Sequence, residues 1–140
     1  MKVFLGGTCG NSTWREELLK DLDDKVEAFN PVVPDWTPEC QAIEDEHKAK
    51  DDILLYVITP ETKSPYSISE VTRSAITDPK RTMVCVVPVA NGAEFEAHEA
   101  KAWVKIIKDI KKDGAMVCET LEEVAKTLNE MALQRGQMGE

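Results

Sequence analysis

The segment at residues 51–75, DDILLYVITPETKSPYSISEVTRSA, decides the fold. Ile53–Ile58 is a nearly continuous apolar run, which is typical of a parallel strand buried on both faces of a sheet. The run ends at Thr59-Pro60, a polar loop follows, and the pattern predicts a helix from Ser67 to about residue 76. A buried strand followed by a loop and a helix is one unit of an alternating α/β fold.

The same alternation extends over the whole chain. Strands are predicted at residues 3–5, 26–29, 53–58, 83–87 and 115–118, and helices at residues 13–22, 67–76, 93–112, from Thr37 and after Thr120. The first, third and fourth strands are the most apolar and therefore belong in the middle of the sheet. We predict a three-layer, doubly wound, flavodoxin/Rossmann-like sheet of about five parallel strands in the order 2-1-3-4-5, with a ligand crevice between strands one and three.

Length and composition limit the class of protein. The chain has 140 residues, enough for one domain at residues 1–134 with a flexible tail at 135–140. Its net charge of −9, without a basic face, argues against a nucleic-acid polymer as partner. We find no apolar run of the roughly 20 residues that a membrane span needs, and no signal peptide. We therefore expect a cytoplasmic protein without a membrane partner.

Metal ligands and cofactor motifs are missing from the pattern. The four cysteines form no CxxC pair, and His47 and His98 stand alone on predicted helices. The glycine-rich loop after the first strand is neither a dinucleotide fingerprint nor a P-loop. We predict that the protein uses no metal and no cofactor.

That glycine-rich loop is the first candidate binding element. Gly6, Gly7, Thr8 and Asn11 follow a strand and precede a helix, where backbone amides and hydroxyls can hold an anion or a sugar. The alternative is a glycine turn that only allows the first helix to pack. The sequence leaves both interpretations open.

Glu70 is the second candidate, because it lies directly after the carboxyl end of a central strand, where ligands bind in open parallel sheets. In the predicted helix it falls in the first turn. Ser67 and Glu70 have the spacing of a capping box, so Glu70 is either a cap or a catalyst.

Other polar residues favour the catalytic alternative for Glu70. Ser64 and Tyr66 lie in the same loop, and Glu44 and Asp45 lie on the preceding predicted helix. Two carboxyl groups beside one small ligand suffice for displacement at a sugar carbon, since one attacks and the other handles the proton. Trp36, in a Pro-rich loop, is the tryptophan that we would test for stacking on a base.

Three motifs together resemble the nucleoside 2-deoxyribosyltransferase superfamily over about two thirds of the chain. They are VFLGGT at the first strand, DxLLYVITP at the third strand, and a serine six residues before the glutamate of the following helix. The resemblance is closest to the nucleoside 2-deoxyribosyltransferase-like branch. The chain is also similar to 2′-deoxynucleoside 5′-monophosphate N-glycosidases.

The resemblance implies roles for individual residues. Glu70 would be the nucleophile that attacks C1′ of a 2-deoxyribose, and Ser64 would contact the sugar or its phosphate. Glu44, or Asp45 one residue away, would be the second carboxylate. The loop at residues 6–11 would hold the 5′ side of a nucleoside or nucleotide. The resemblance also implies a homo-oligomer in which neighbouring subunits close each site.

Two further functions stay open at this point. Family members often carry a tyrosine in the first strand that orients the nucleophile, and the aligned residues here are Val3 or Phe4, which favours a non-catalytic nucleotide-binding module. Cleavage of a nicotinamide dinucleotide also needs one well-placed glutamate, and only Trp36 and Tyr66 are candidates for the aromatic cleft it requires.

Overall fold

The structure, a computed structural model, describes residues 1–137. Five strands form a parallel sheet, and two more form a small antiparallel hairpin within this range. The strands are β1 (Lys2–Gly7), β2 (Glu27–Phe29), β3 (Ile53–Ile58), β4 (Thr82–Val86), β5 (Val89–Ala90), β6 (Ala93–Glu94) and β7 (Met116–Cys118). The sheet order is β2-β1-β3-β4-β7, which confirms the predicted order.

In the part of the chain that the structure describes, five α-helices connect the strands and follow the last one. They are α1 (Trp14–Leu19), α2 (Pro38–Lys50), α3 (Pro65–Thr77), α4 (Ala97–Asp113) and α5 (Leu121–Gln137), with a short 3₁₀ helix at Pro79–Arg81. Among residues 1–137, no helix combines the length and the apolar character that a membrane span requires. Helix α5 includes residues 135–137, where a tail was predicted to begin, and residues 138–140 of that tail lie outside the described range.

Strand β3 divides the core into two halves because its side chains alternate between the faces of the sheet. Leu55 and Val57 pack on one face with Trp14 and Leu18 of α1 and residues of α5. Leu54 and Tyr56 pack on the other face with residues of α3 and α4. All six residues of β3 are buried, as the apolar run predicted.

The hairpin was not predicted, and it moves the start of α4. The sequence placed a helix from residue 93, but Ala93 and Glu94 pair with Ala90 and Val89. Asn91 and Gly92, both at positive φ, form the turn between them. An Asn-Gly pair is the usual signal for a two-residue hairpin, so the sequence did contain the evidence.

Thr13 and Glu16, and likewise Thr120 and Glu123, have the spacing of a capping box, and Thr37-Pro38 is a typical helix start. The Thr37 hydroxyl accepts a hydrogen bond from the Cys40 amide at 3.2 Å, and that of Thr120 accepts one from the Glu123 amide at 3.1 Å. Thr13 makes no such bond, and its hydroxyl instead donates to Glu17. The side chain of Thr13 therefore does not cap α1, although the spacing predicts that it does.

Helix α2 lies on the sheet without a single buried residue. Polar and aromatic contacts hold it in place. The His47 ring stacks on Phe29 with 3.7 Å between centroids, and Arg81 donates to the carbonyl oxygens of Lys48 and Asp51. Its position therefore depends on ring stacking and hydrogen bonds rather than on buried apolar side chains.

Gly7 lies so close to β3 that a side chain has no room. It has φ +111°, and an added Cβ would lie 2.0 Å from the Val57 carbonyl oxygen. We predict that Gly7→Ala lowers the free energy of unfolding by about 3 kcal/mol or more, from overpacking and backbone strain. Gly92→Ala is the control, because Gly92 also has positive φ but has nothing within 4 Å of an added Cβ. It should cost about 1 kcal/mol in denaturant unfolding; equal losses would contradict the packing argument.

Asp52 joins the starts of β1 and β3 to α5. Its carboxylate accepts from the Lys2 amide at 2.8 Å and pairs with Arg135 at 3.0 Å. Partial burial disfavours its ionised form, but these two partners outweigh burial and hold the pKa of Asp52 below its ordinary value. The stabilisation is therefore present at neutral pH and is lost as pH falls through the native pKa.

We predict that Asp52→Asn lowers the melting temperature at pH 7, and that the difference from wild type shrinks below about pH 4, the ordinary range of an aspartate. The exposed residue Asp24 supplies the control Asp24→Asn. A difference that stays constant from pH 7 to pH 2 would show that the ionised Asp52 contributes nothing.

Candidate functional site

Glu70 does not cap its own helix. Helix α3 begins at Pro65, two residues before the predicted start, because proline suits the first helical position. Glu70 is therefore the sixth helical residue and lies in the second turn, and the predicted first-turn position is wrong. Ser67 is a buried residue inside the helix, so the Ser67–Glu70 capping box does not form.

The Glu70 carboxylate is instead paired with a lysine of α2. The Lys48 Nζ lies 2.5 Å from Glu70 Oε2 and 3.5 Å from Glu44 Oε1. These two carboxylate oxygens are therefore at most 6.0 Å apart, the sum of the two distances. Carboxyl pairs in retaining glycosidases are about 5–5.5 Å apart, and those of inverting enzymes start near 6.5 Å.

A cavity of about 320 Å³ opens beside this ion pair, between α2 and α3 and over Leu54 and Tyr56 of β3. We call it the Glu70 cavity; the residues that matter for its chemistry are Asp45, Lys48, Tyr56, Tyr66, Glu70 and Arg73. Tyr66 and Glu70 thus share one cavity, as expected. The cavity lies on a face of the sheet rather than at the edge between strands one and three, where the crevice was predicted.

The two candidate second carboxylates occupy different positions. Asp45 lines the Glu70 cavity, and Gln41 donates to its carboxylate at 2.7 Å. Glu44 does not line this cavity and reaches Glu70 only through Lys48. The structure brings both residues near Glu70, but only Asp45 faces the open space.

Tyr56 contributes a phenol to the Glu70 cavity. Burial, and after it the nearby charge of Glu70, raise the pKa of Tyr56 above its ordinary value, so the phenol is neutral at physiological pH. Its ring lies on the same face of the sheet as Phe4, with 6.3 Å between centroids. The sequence analysis does not single out Tyr56, because Tyr56 stands inside an apolar run that is typical of core. The available signal was a hydroxyl in an otherwise aliphatic strand.

Lys48 is the second residue that the sequence analysis missed. The available signal was its spacing of four residues from Glu44 on a predicted helix. Burial disfavours its charged form, but the hydrogen bond and charge of Glu70 outweigh burial and raise the pKa of Lys48. Lys48 is therefore an ammonium at neutral pH.

The first residues of the glycine-rich loop are covered. Gly6 and Gly7 belong to β1, and an added Cβ at Gly6 would meet the Tyr56 ring at 2.7 Å. Thr8 is fully buried, and its hydroxyl accepts from the Thr59 amide at 2.8 Å. Only Asn11 of the four predicted binding residues is exposed. The close contact between Gly6 and the Tyr56 ring explains why this position is glycine, and no bound ligand is needed to explain it.

The loop after β1 and the loop after β3 meet at the edge of the sheet where the crevice was predicted. The Thr62 hydroxyl donates to the Cys9 carbonyl at 3.1 Å. Ser64 borders a separate cavity of about 230 Å³ at this edge, together with Thr8 and Trp103. Ser64 therefore borders this cavity and Glu70 borders the Glu70 cavity, although the two residues are only six positions apart. Trp36 lies outside both linings and is 63% exposed.

A third cavity, of about 330 Å³, contains a carboxylate that the sequence did not single out. Ser12 donates to Glu61 at 2.8 Å, and Asn91 of the hairpin turn donates to its other oxygen at 2.5 Å. Partial burial opposes ionisation of Glu61, but hydrogen bonds from Thr59, Asn91 and Ser12 outweigh it and lower its pKa. Glu61 therefore ties the β1 and β3 loops to the hairpin.

Side chains that could ligate a metal are dispersed over residues 1–137. No group of three or more His, Cys, Asp or Glu side chains there is arranged to hold a metal ion. Cys85 and Cys118 are buried in the core, and burial raises the pKa of the Cys85 thiol to about 12. These two thiols are therefore neutral core residues at physiological pH.

Comparison with known proteins identifies the family of this chain. The model of the family described as nucleoside 2-deoxyribosyltransferase like matches residues 1–89, well over half of the 140 residues. A search of curated proteins gave no match. The matched segment runs from β1 through β4 and includes every residue named above for the Glu70 cavity. The chain therefore belongs to the nucleoside 2-deoxyribosyltransferase-like family, which supports nucleoside binding and a glycosyl-transfer or N-glycosidase kind of function.

Proposed function

We propose that this protein breaks the N-glycosidic bond of a 2′-deoxynucleoside or its 5′-monophosphate in the Glu70 cavity. One observation supports this most directly. The Glu70 carboxylate is not used as a helix cap and borders an open cavity of about 320 Å³ with a second acid, Asp45. The family match covers both residues.

In the proposed step, an Oε atom of Glu70 attacks C1′ of the deoxyribose. The C1′–N bond breaks, its electron pair passes to the base nitrogen, and a carboxylic acid of α2 supplies a proton to the base. The product is a deoxyribosyl ester of Glu70, which water or a second base then resolves. Negative charge beside C1′ stabilises the oxocarbenium-like transition state, which forms more easily without a 2′-hydroxyl.

The other proposed contacts with the substrate follow from where each residue lies relative to the Glu70 cavity. Tyr66 is 70% exposed at the cavity, so its ring is available to cover the sugar or the base. Ser64 and Asn11 lie toward the carboxyl ends of the strands and outside the Glu70 cavity, so they contact the substrate only where its 5′ side extends beyond that cavity. Gly6, Gly7 and Thr8 are buried, so they shape the backbone beneath that position and do not contact the substrate directly.

A second candidate is a non-catalytic nucleotide-binding module. The observation that favours it is the ion pair itself, because an ammonium bound to Glu70 reduces the negative charge available to attack C1′. Val3 and Phe4, one of which aligns with the first-strand tyrosine that family members often carry, also have no hydroxyl. Nucleotide binding without base release by the wild type would establish this alternative.

The nucleophile is tested by Glu70→Gln, which keeps the shape of the side chain and removes its charge. We predict that release of free base from a panel of deoxynucleosides and their monophosphates falls about 10³-fold or more, as expected for loss of a nucleophile. Glu46→Gln is the matched control, because Glu46 pairs with Lys50 on the outer side of α2. Retention of activity by Glu70→Gln would reject Glu70 as the nucleophile.

The two acids of α2 are distinguished by Asp45→Asn and Glu44→Gln. We predict that Asp45→Asn slows base release by about 10²-fold or more, within the usual contribution of a general acid. The effect of Glu44→Gln should be smaller, because Glu44 acts only through Lys48. Steady-state rates with a substrate whose base is a poor leaving group make the comparison most sensitive. The opposite ranking would assign the proton to Glu44.

A further inference from the structure

Lys48 is the only cation within hydrogen-bonding distance of Glu70 among the described residues. We propose that Lys48 is the positioning residue of the nucleophile: its ammonium holds the Glu70 carboxylate at the cavity wall, ready to face C1′. This inference rests on the proposed function and adds to it a residue, on a different helix, that sets the geometry of attack.

The ammonium itself is fixed from several sides. Glu44, four residues earlier on α2, holds it at 3.5 Å. The Phe4 and Tyr66 rings lie 5.6 and 5.9 Å from its Nζ, within the range of a cation–π contact. The side chains of Lys48 and Glu70 are only 23% and 13% exposed, so solvent competes weakly for the pair. A charge held on α2 therefore determines where the carboxylate of α3 points.

The charge balance of the group fits the proposed step. Glu44, Lys48 and Glu70 together carry one net negative charge, which complements a cationic sugar in the transition state. When the ester of Glu70 forms, that carboxylate becomes neutral and Lys48 keeps Glu44 as its partner. Without Lys48, two like charges at most 6.0 Å apart repel each other, and Glu70 turns away from its position at the cavity.

A purely structural role for Lys48 predicts a different result. Helix α2 buries no residue, and the Lys48–Glu70 ion pair is one of its contacts with α3. The pair therefore helps to hold α2 on the sheet. If Lys48 only anchors α2, its loss would lower stability and weaken substrate binding, and it would leave the rate at saturating substrate unchanged. A positioning role affects that rate instead.

The test compares Lys48→Met with Lys50→Met. Lys50 lies on the same helix and also pairs with a glutamate, Glu46, at 2.9 Å, but that pair is exposed. Base release is measured on the deoxynucleoside and monophosphate panel, with the melting temperature as a check on folding. We expect Lys48→Met to lower kcat about 10- to 100-fold, the effect of a displaced catalytic group, with KM within about threefold of wild type. Lys50→Met should match wild type.

Two further variants keep the result decisive. Lys48→Arg keeps the charge and should recover most of kcat, and Lys48→Gln replaces Lys48→Met if the latter fails to melt cooperatively. If the uncharged variant is as active as Lys50→Met, or if its KM rises while its kcat stays unchanged, the positioning role is overturned. The proposed function stands in either case. If wild type releases no base from any substrate of the panel, the proposed function fails and this inference fails with it.

Discussion

Strand β3 is the element on which the rest of the structure depends. Its six side chains are buried on both faces, and its backbone pairs with β1 on one side and β4 on the other. Because the faces alternate, Tyr56 and Leu54 lie toward α3, and Tyr56 becomes part of the cavity floor. The approach of Gly7 to Val57 brings β1 close enough for Phe4 and Gly6 to pack beside this ring. A change in the β1–β3 contact would therefore alter the cavity directly.

The cavity is built from two helices that are held on the sheet in different ways. Helix α3 packs through the buried residues Val71 and Ala75, whereas α2 has no buried residue at all. The candidate nucleophile, Glu70, is thus on the firmly packed helix together with Arg73, whereas Glu44, Asp45 and Lys48 are on the helix that buries no residue.

The first strand contributes an aromatic ring beside the ion pair. Phe4 has no hydroxyl, and the Lys48 ammonium lies 5.6 Å from the Phe4 ring. The polar contact to Glu70 therefore comes from α2 and not from β1. An ammonium can orient a carboxylate as well as a phenol can, since both donate a hydrogen bond to it.

The sequence by itself determined the strand order and the layer arrangement, because the apolar run at residues 53–58 is explained only by burial on both faces of a parallel strand. It also predicted that Glu70 and Tyr66 lie near Glu44 and Asp45, because these residues stand on the segments directly after and directly before the third strand. Only the tertiary structure decided what Glu70 contacts. A capping box is a local pattern, whereas the Lys48–Glu70 pair joins residues 22 positions apart. Local spacing carries no information about such a contact, and the packing of α2 against α3 creates it.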